Sequence, residues 1–386
     1  RRAEMVIANH ALVMIQAALG DEGSLPVRYV FDEGHHLFDA ADSAFSAHLS
    51  GRETAELRRW LLGSEGEQGS RARGLEGRIA DLVAGDEVAE TERTEAFQAA
   101  RALPGRGWLQ RIAGAEPRGT TEAFLAQLSR QVHARDASAQ QGFDMGYDLE
   151  TEAHPPVDGI RQAADKLGER LAVLEKPLRA LAKALAMQLD ERADELDTST
   201  RQRLDALIRS LERRAIGPVA AWRSMLAALG SETPPEFIDW FSVERIAGRE
   251  VDMGMHRNWV DPTLPFARTL LEPAHGAAIT SATLRDQGGD TPAGWATAEA
   301  RTGLGHFEGV ARRQGFPSPF DYAVQTRILV ITDLSRNDMD RRAAAYGELM
   351  AAAGGGAIGL FTSIARLRAI HRRLTENQGP ALPMLL

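Results

Sequence analysis

Val27-Arg28-Tyr29-Val30-Phe31-Asp32-Glu33-Gly34-His35-His36-Leu37 sets a short apolar run, rich in β-branched and aromatic residues, directly against two acids and two histidines. The run has the length and composition of a buried strand, and the abrupt change to polar groups marks its carboxyl end. Four other runs repeat the arrangement. They are Met5-Val6-Ile7-Ala8 before Asn9 and His10, Gly276-Ala277-Ala278-Ile279 before Thr280 and Ser281, Arg327-Ile328-Leu329-Val330-Ile331 before Thr332 and Asp333, and Ala357-Ile358-Gly359-Leu360-Phe361 before Thr362 and Ser363. Together they predict an α/β fold with a parallel sheet, in which ligands sit outside the carboxyl ends of the strands. Taken singly, each polar end is explained equally well by turn-forming residues that stop a strand.

The rest of the composition supports a folded chain. Of 386 residues, 44% are hydrophobic and 26% charged, enough for a sizeable core and unlike a disordered or collagenous sequence. Asp and Glu (54) outnumber Lys and Arg (45), giving a net charge of −9, so any nucleic-acid site has to be local. With no cysteine, the chain itself cannot carry disulfides, thiolate-bound zinc or a cysteine-ligated iron–sulfur cluster. That usage fits a reducing compartment, and a cytoplasmic location is expected. No apolar run approaches the roughly 18 to 20 residues of a membrane span. Arg1, Arg2 and the apolar stretch that follows imitate a secretory signal, but Glu4, Asn9, His10 and Gln16 interrupt it, so it is read as part of the fold. Residues 381–386 are an apolar run that simply stops, and both ends read as cut from a longer protein.

Between the second and third apolar runs the sequence turns to Ala, Leu, Arg and Glu at helical spacing. Ile160, Ala164, Leu167, Leu171, Leu174, Leu178, Leu181, Leu185 and Leu189 form an apolar seam, resumed by Leu204, Leu207 and Leu211 after the turn-like Asp197-Thr198-Ser199-Thr200. This predicts an antiparallel helical hairpin held by packing, with Pro177 kinking or dividing its first helix. Residues 63–74 and 288–294 read as loops. Aromatic and β-branched residues between Pro234 and Pro265 predict short strands leading back to the sheet.

Asp32 and Glu33 are the sharpest chemical candidates. A carboxylate at a strand tip can hold Mg²⁺ through its water shell, the role assigned to Asp32. Side chains alternate along a strand, so Glu33 is expected to point elsewhere and polarise an attacking water. His35 would bond a neighbouring polar loop and report the nucleotide state to it. Thr280-Ser281-Ala282-Thr283 offers hydroxyls for that contact, Ser281 and Thr283 being the coupling candidates. Three other readings stay open. Asp32 can be a helix N-cap. Asp32, His35 and His36 can be ligands of a metal-dependent phosphohydrolase, with His10 or His275 completing the shell. The chain can also be a non-catalytic helical scaffold. Gly354-Gly355-Gly356-Ala357-Ile358-Gly359 has dinucleotide-fingerprint spacing but precedes its strand instead of following one, so it reads as a loop. No G-x-x-x-x-G-K-[ST] phosphate cradle occurs in the chain.

In order, the blocks Ala8-Asn9-His10-Ala11-Leu12, Val30-Phe31-Asp32-Glu33-Gly34-His35-His36-Leu37, a long helical insertion, Ile279-Thr280-Ser281-Ala282-Thr283-Leu284, Ser318-Pro319-Phe320-Asp321-Tyr322 and Leu360-Phe361-Thr362-Ser363 resemble the DinG branch of the XPD-like superfamily two DNA helicases. The resemblance implies RecA-like, P-loop NTPase sheet parts with a helical Arch-like insertion. Residues 1–44 would carry the acid-pair part of the first motor domain, and 45–250 the insertion. Residues 251–325 would return to that domain, and 326–386 would begin a second one. It also implies an internal fragment, with the phosphate cradle and any iron–sulfur domain upstream. ATP and Mg²⁺ are the implied cofactors, an iron–sulfur cluster being conceivable only in the full-length protein. The implied activity is 5′ to 3′ translocation of a monomer on single-stranded DNA, or on DNA with single-stranded tails, and duplex unwinding, with no membrane partner. Asn9, His10, Thr362 and Ser363 are the implied DNA contacts, joined by Arg366 and Arg373 on one helix face. Gly34 stands where Ala is commoner in the family, a change the turn is expected to absorb.

Overall fold

The computed structural model describes residues 3–18, 25–63, 74–136, 147–192, 194–285, 291–309, 311–335, 337–354 and 356–378. The expected loop at 63–74 and the apolar run at 381–386 therefore lie wholly or largely outside the described residues, as does part of the loop at 288–294. The chain divides into two compact units, residues 1–312 and 313–386. The longer helices and the strands are labelled here in chain order.

In the first unit, α1 (His10–Ala18), β1 (Arg28–Phe31), α2 (Leu37–Phe45), β2 (Ala47–Ser50) and α3 (Gly51–Leu62) are followed by α4 (Glu87–Ala100) and α5 (Gly119–Arg135). Then come β3 (Leu149–Glu152), α6 (Ile160–Glu191), α7 (Thr198–Leu211), α8 (Gly217–Ala228), β4 (Phe237–Ile246), β5 (Arg249–Trp259), β6 (Gly276–Ile279) and α9 (Pro292–Arg301). The fold is mixed α/β with two sheets. β1 and β6 pair in parallel, Arg28 facing Gly276 and Phe31 facing Ile279. The other sheet is antiparallel, in the order β2-β5-β4-β3.

The helical region follows its apolar seam. Ile160, Leu167, Leu171, Leu174, Leu178, Leu181 and Leu185 are buried along one face of α6, and Leu204, Leu207 and Leu211 join them from α7. α6 packs against α4, α5, α7 and α8 and so forms the spine of this body. Pro177 does not divide it, since α6 runs unbroken through 32 residues. The carbonyl that loses its partner belongs to Val173, an exposed residue, where water can serve it.

Two expectations are corrected. The strands between Pro234 and Pro265 do not lead back to the parallel sheet. β4 and β5 are 10 and 11 residues long and close a hairpin through Ala247 and Gly248, both at positive φ as a two-residue turn of this hand requires. Phe241, Val243, Met253 and Met255 from these strands are buried in the helical core, so β5 belongs to that body across the expected boundary at 250/251. The second correction concerns the five parallel strands: among the described residues only β1 and β6 pair. Residues 5–8, 327–331 and 357–361 carry no strand, and Ile7, Ile328 and Leu360 are 92%, 86% and 85% exposed. A parallel strand needs a neighbour for its backbone and cover on both faces, and the described residues supply these segments with neither.

A smaller core lies under the parallel pair. Met14 and Ala17 of α1, Phe31, Leu37 and Ala41 of α2, and Phe266, Ala267, Leu270 and Leu271 bury one another, with Phe31 edge-on to Phe266 at 5.8 Å. In the second unit, α10 (Met339–Ala352) and α11 (Ile364–Gln378) pack through Ala343, Ile370 and Leu374.

Candidate functional site

The turn after β1 is locked to the end of β6 by backbone bonds. Thr280 N donates to Phe31 O and Gly34 N donates to Thr280 O, each at 2.8 Å. Between those bonds the chain has to reverse, and Glu33 takes a left-handed backbone (φ 52°, ψ 47°) before the short helical turn Gly34–His36. In this turn Asp32 Oδ1 bonds Glu33 N while Glu33 Oε2 lies 3.3 Å from His35 Nδ1. The expected pleat alternation does not act on them, since β1 ends at Phe31. Gly34 is required here. A Cβ on it would lie 2.3 Å from Ile279 Cγ2, so the glycine lets the acid-bearing turn sit directly on β6.

Around this junction His35 Nδ1 lies 2.8 Å from Ser281 Oγ and 3.3 Å from Glu33 Oε2. A proton on Nδ1 serves both acceptors and ties the acid to the hydroxyl of the other strand tip. Ser281 Oγ also accepts from Thr283 N at 3.2 Å, shaping the loop that Thr283 occupies. Asp32 is exposed, and its Oδ1 accepts from the adjacent Glu33 N at 3.0 Å. It does not cap the turn, whose N-cap residue is Glu33. His36 is exposed and its ring lies 3.9 Å from that of His35. Among the described residues no group of three or more His, Asp or Glu side chains is placed to hold a metal ion, which removes the geometric basis for the phosphohydrolase reading of Asp32, His35 and His36 with His10 or His275.

Asn9 Oδ1 accepts from Leu12 N at 2.8 Å, so Asn9 caps α1, and the His10 ring lies 6.0 Å from Phe31 beside the same strand tip. Thr362 and Ser363 belong to the second unit, where the Ser363 side chain accepts from Arg366 N at 3.5 Å at the start of α11. Arg373 does not join Arg366 as an open cationic face. Its Nε donates to Asp340 Oδ1 of α10 at 2.5 Å.

Sequence reading missed a second polar cluster where β2, β4, β5 and α3 meet. His48 and His256 face each other across β2 and β5 with ring centroids 4.7 Å apart. His256 stacks on Trp240 at 5.1 Å and hydrogen-bonds Ser242 Oγ at 2.6 Å. Burial, then the neighbouring His48, pushes His256 down to about 4, while burial and then Asp252, Glu56 and Glu244 push Glu53 up to about 7. The one local signal of this cluster is Ser50 with Glu53 three residues on, the spacing of a capping box, and Ser50 Oγ does accept from Glu53 N at 3.2 Å. The histidines come from strands more than 200 residues apart, and no local pattern joins them. No protein-family model and no curated protein sequence matches this chain.

Proposed function

We propose that this chain carries the magnesium-holding and water-activating part of an ATP-driven DNA helicase motor, acting on single-stranded DNA or on DNA with single-stranded tails. The observation that supports it most is the junction of the two strand tips, with Glu33, His35 and Ser281 joined within 3.3 Å. A motor needs its hydrolytic acid mechanically tied to an element that also senses another part of the molecule. Here the link runs from the acid turn through an imidazole to the loop after β6.

On this reading Asp32 holds Mg²⁺ from the strand tip. Its carboxylate is exposed and, among the described residues, bonded to its neighbour's N–H alone, which suits an ion that keeps several waters and takes the remaining ligands from phosphates. ATP would supply the transferred phosphoryl group, and Mg²⁺ would neutralise charge on it. Glu33 orients the attacking water, and His35 holds the Glu33 carboxylate and couples it to Ser281. The phosphate cradle is supplied by polypeptide other than residues 1–386, since no cradle motif occurs among them. RecA-like sheet geometry, DNA contact by Asn9, His10, Thr362 and Ser363, and action as a monomer belong to the same proposal.

The test is made on the complete gene product that contains this chain. Glu33→Gln keeps the shape and removes the charge, and DNA-stimulated ATP hydrolysis should fall by at least about a hundredfold, the loss expected of a water-orienting group. Turnover within about tenfold of the parent would remove Glu33 from the role.

A further inference from the structure

Two adjoining hollows open on the helical body, with volumes of about 910 and 320 Å³. They share Trp60 of α3, Arg78, and Arg213 and Arg214, so they form one continuous groove. The last two lie on a wide helical turn, Glu212–Ile216, inserted between α7 and α8. Such wide turns alter the face a helix presents and occur often at functional sites. Here the turn leaves both arginines exposed while Ala215 and Ile216 are buried beneath.

We infer that this groove binds a nucleotide, its phosphate against Arg78, Arg213 and Arg214 and its base against Trp60. The chain carries a net charge of −9, and nearby arginines are spent on carboxylates: Arg59 on Glu56 at 3.4 Å and Arg203 on Asp81 at 2.8 Å. Arg78, Arg213 and Arg214 make no ion pair among the described residues. Three guanidinium groups that line one groove and make no ion pair among the described residues suit a multivalent anion, and arginine matches phosphate oxygens with paired N–H donors. Arg214 Cζ also lies 5.8 Å from the centre of the Trp60 ring, so cation and aromatic surface stand side by side, the combination that takes up a phosphate and a base together. The larger hollow falls within the size range of small-molecule sites.

The same groove is lined by Glu53, Glu56 and Glu212. Glu56 is neutralised by Arg59, and Glu53, pushed up to about 7, carries only part of a charge near neutrality. Carboxylates there suit the amino edges of a base, so the mixed lining favours a nucleotide over a bare anion. The inference stands on residues of the helical body and does not rest on the acid pair at Asp32 and Glu33.

Titration of the full chain with AMP, with a single-stranded deoxyadenylate octamer and with inorganic phosphate, read by tryptophan fluorescence, tests it. AMP or the octamer should bind and quench, and Trp60→Phe should remove most of the quench. Arg213→Glu combined with Arg214→Glu should weaken binding at least about tenfold with unchanged circular dichroism. Both arginines are exposed; should the double variant lose its fold, Arg213→Gln alone gives the same reading. Equal affinity for AMP and the octamer assigns a free nucleotide, and a tighter, salt-sensitive octamer assigns a unit of a strand. Absence of nucleotide binding, phosphate binding as tight as AMP, or undiminished affinity in the arginine variant would overturn the inference.

Discussion

A methyl group at Gly34 would press on Ile279 Cγ2, a branched side chain with little freedom at χ1. Gly34→Ala should therefore destabilise the first unit by about 1 to 3 kcal/mol, the usual range for overpacking. Ile279→Ala removes the opposing methyl, so the double variant should lose less than the sum of the singles in urea unfolding. The acids at 32 and 33 were legible because a polar pair after an apolar run is a local pattern. The need for glycine was not, because the atom it avoids is 245 residues away. Two titrating side chains give a second prediction at this scale. His256 is held near 4 against an ordinary 6.5, so its folded form resists protonation and stability is lost as pH falls from 6.5 toward 4. Glu53, held near 7 against 4.5, binds its proton more tightly when folded, so its contribution is full below 4.5 and lost as pH rises through 7. The two slopes oppose each other between pH 4.5 and 6.5. Thermal melts across that interval should rise less with pH in His256→Gln than in the parent, and more in Glu53→Gln. Identical profiles in all three proteins would contradict the assigned shifts.

The hairpin of β4 and β5 holds a buried ion pair. Asp239 and Arg257 face each other across the ladder and meet in two bonds, Nε to Oδ1 at 2.7 Å and Nη2 to Oδ2 at 2.6 Å, with side chains 0% and 7% exposed. Arg257 also lies 4.9 Å from the centre of the Phe237 ring and 3.2 Å from Ser224 Oγ of α8, tying the sheet to a helix. Asp239→Ala leaves the guanidinium buried and unpaired, and should cost about 3 to 5 kcal/mol in chemical denaturation. Replacing both residues by apolar ones of similar size should cost much less. The Leu seam of α6 was legible because helical period and burial coincide along one element. The register of β4 on β5 depends on a turn made by Ala247 and Gly248, whose sequence carries no strong hairpin signal, and β2 and β3 are too short to announce themselves. The segments at 327–331 and 357–361 misled for the opposite reason: strand-like composition is local, but a strand exists only where a partner does.

At the scale of the molecule, the first unit contains two cores, the large one of the helices and antiparallel sheet and the small one beneath β1 and β6. They meet through α2, where Asn258 Nδ2 donates to Asp42 Oδ1 at 2.9 Å. The long insertion was legible as a change of sequence character, yet its true limits were not, because they are set by β2 pairing with β5. Ala47 lies opposite Arg257 in that pairing, so the backbone goes into the helical body and comes out of it at adjacent points. Such neighbours stand about 5 Å apart, a gap that two or three residues of Gly and Ser span. A shortened chain with that bridge in place of residues 48–256 should keep the packing of Phe31 on Phe266, measured by proton NMR of the ring signals. The body would then behave as an interchangeable cassette: recombination could lose, enlarge or swap it while the acid-bearing turn keeps its shape, so the two bodies are free to drift apart over evolution.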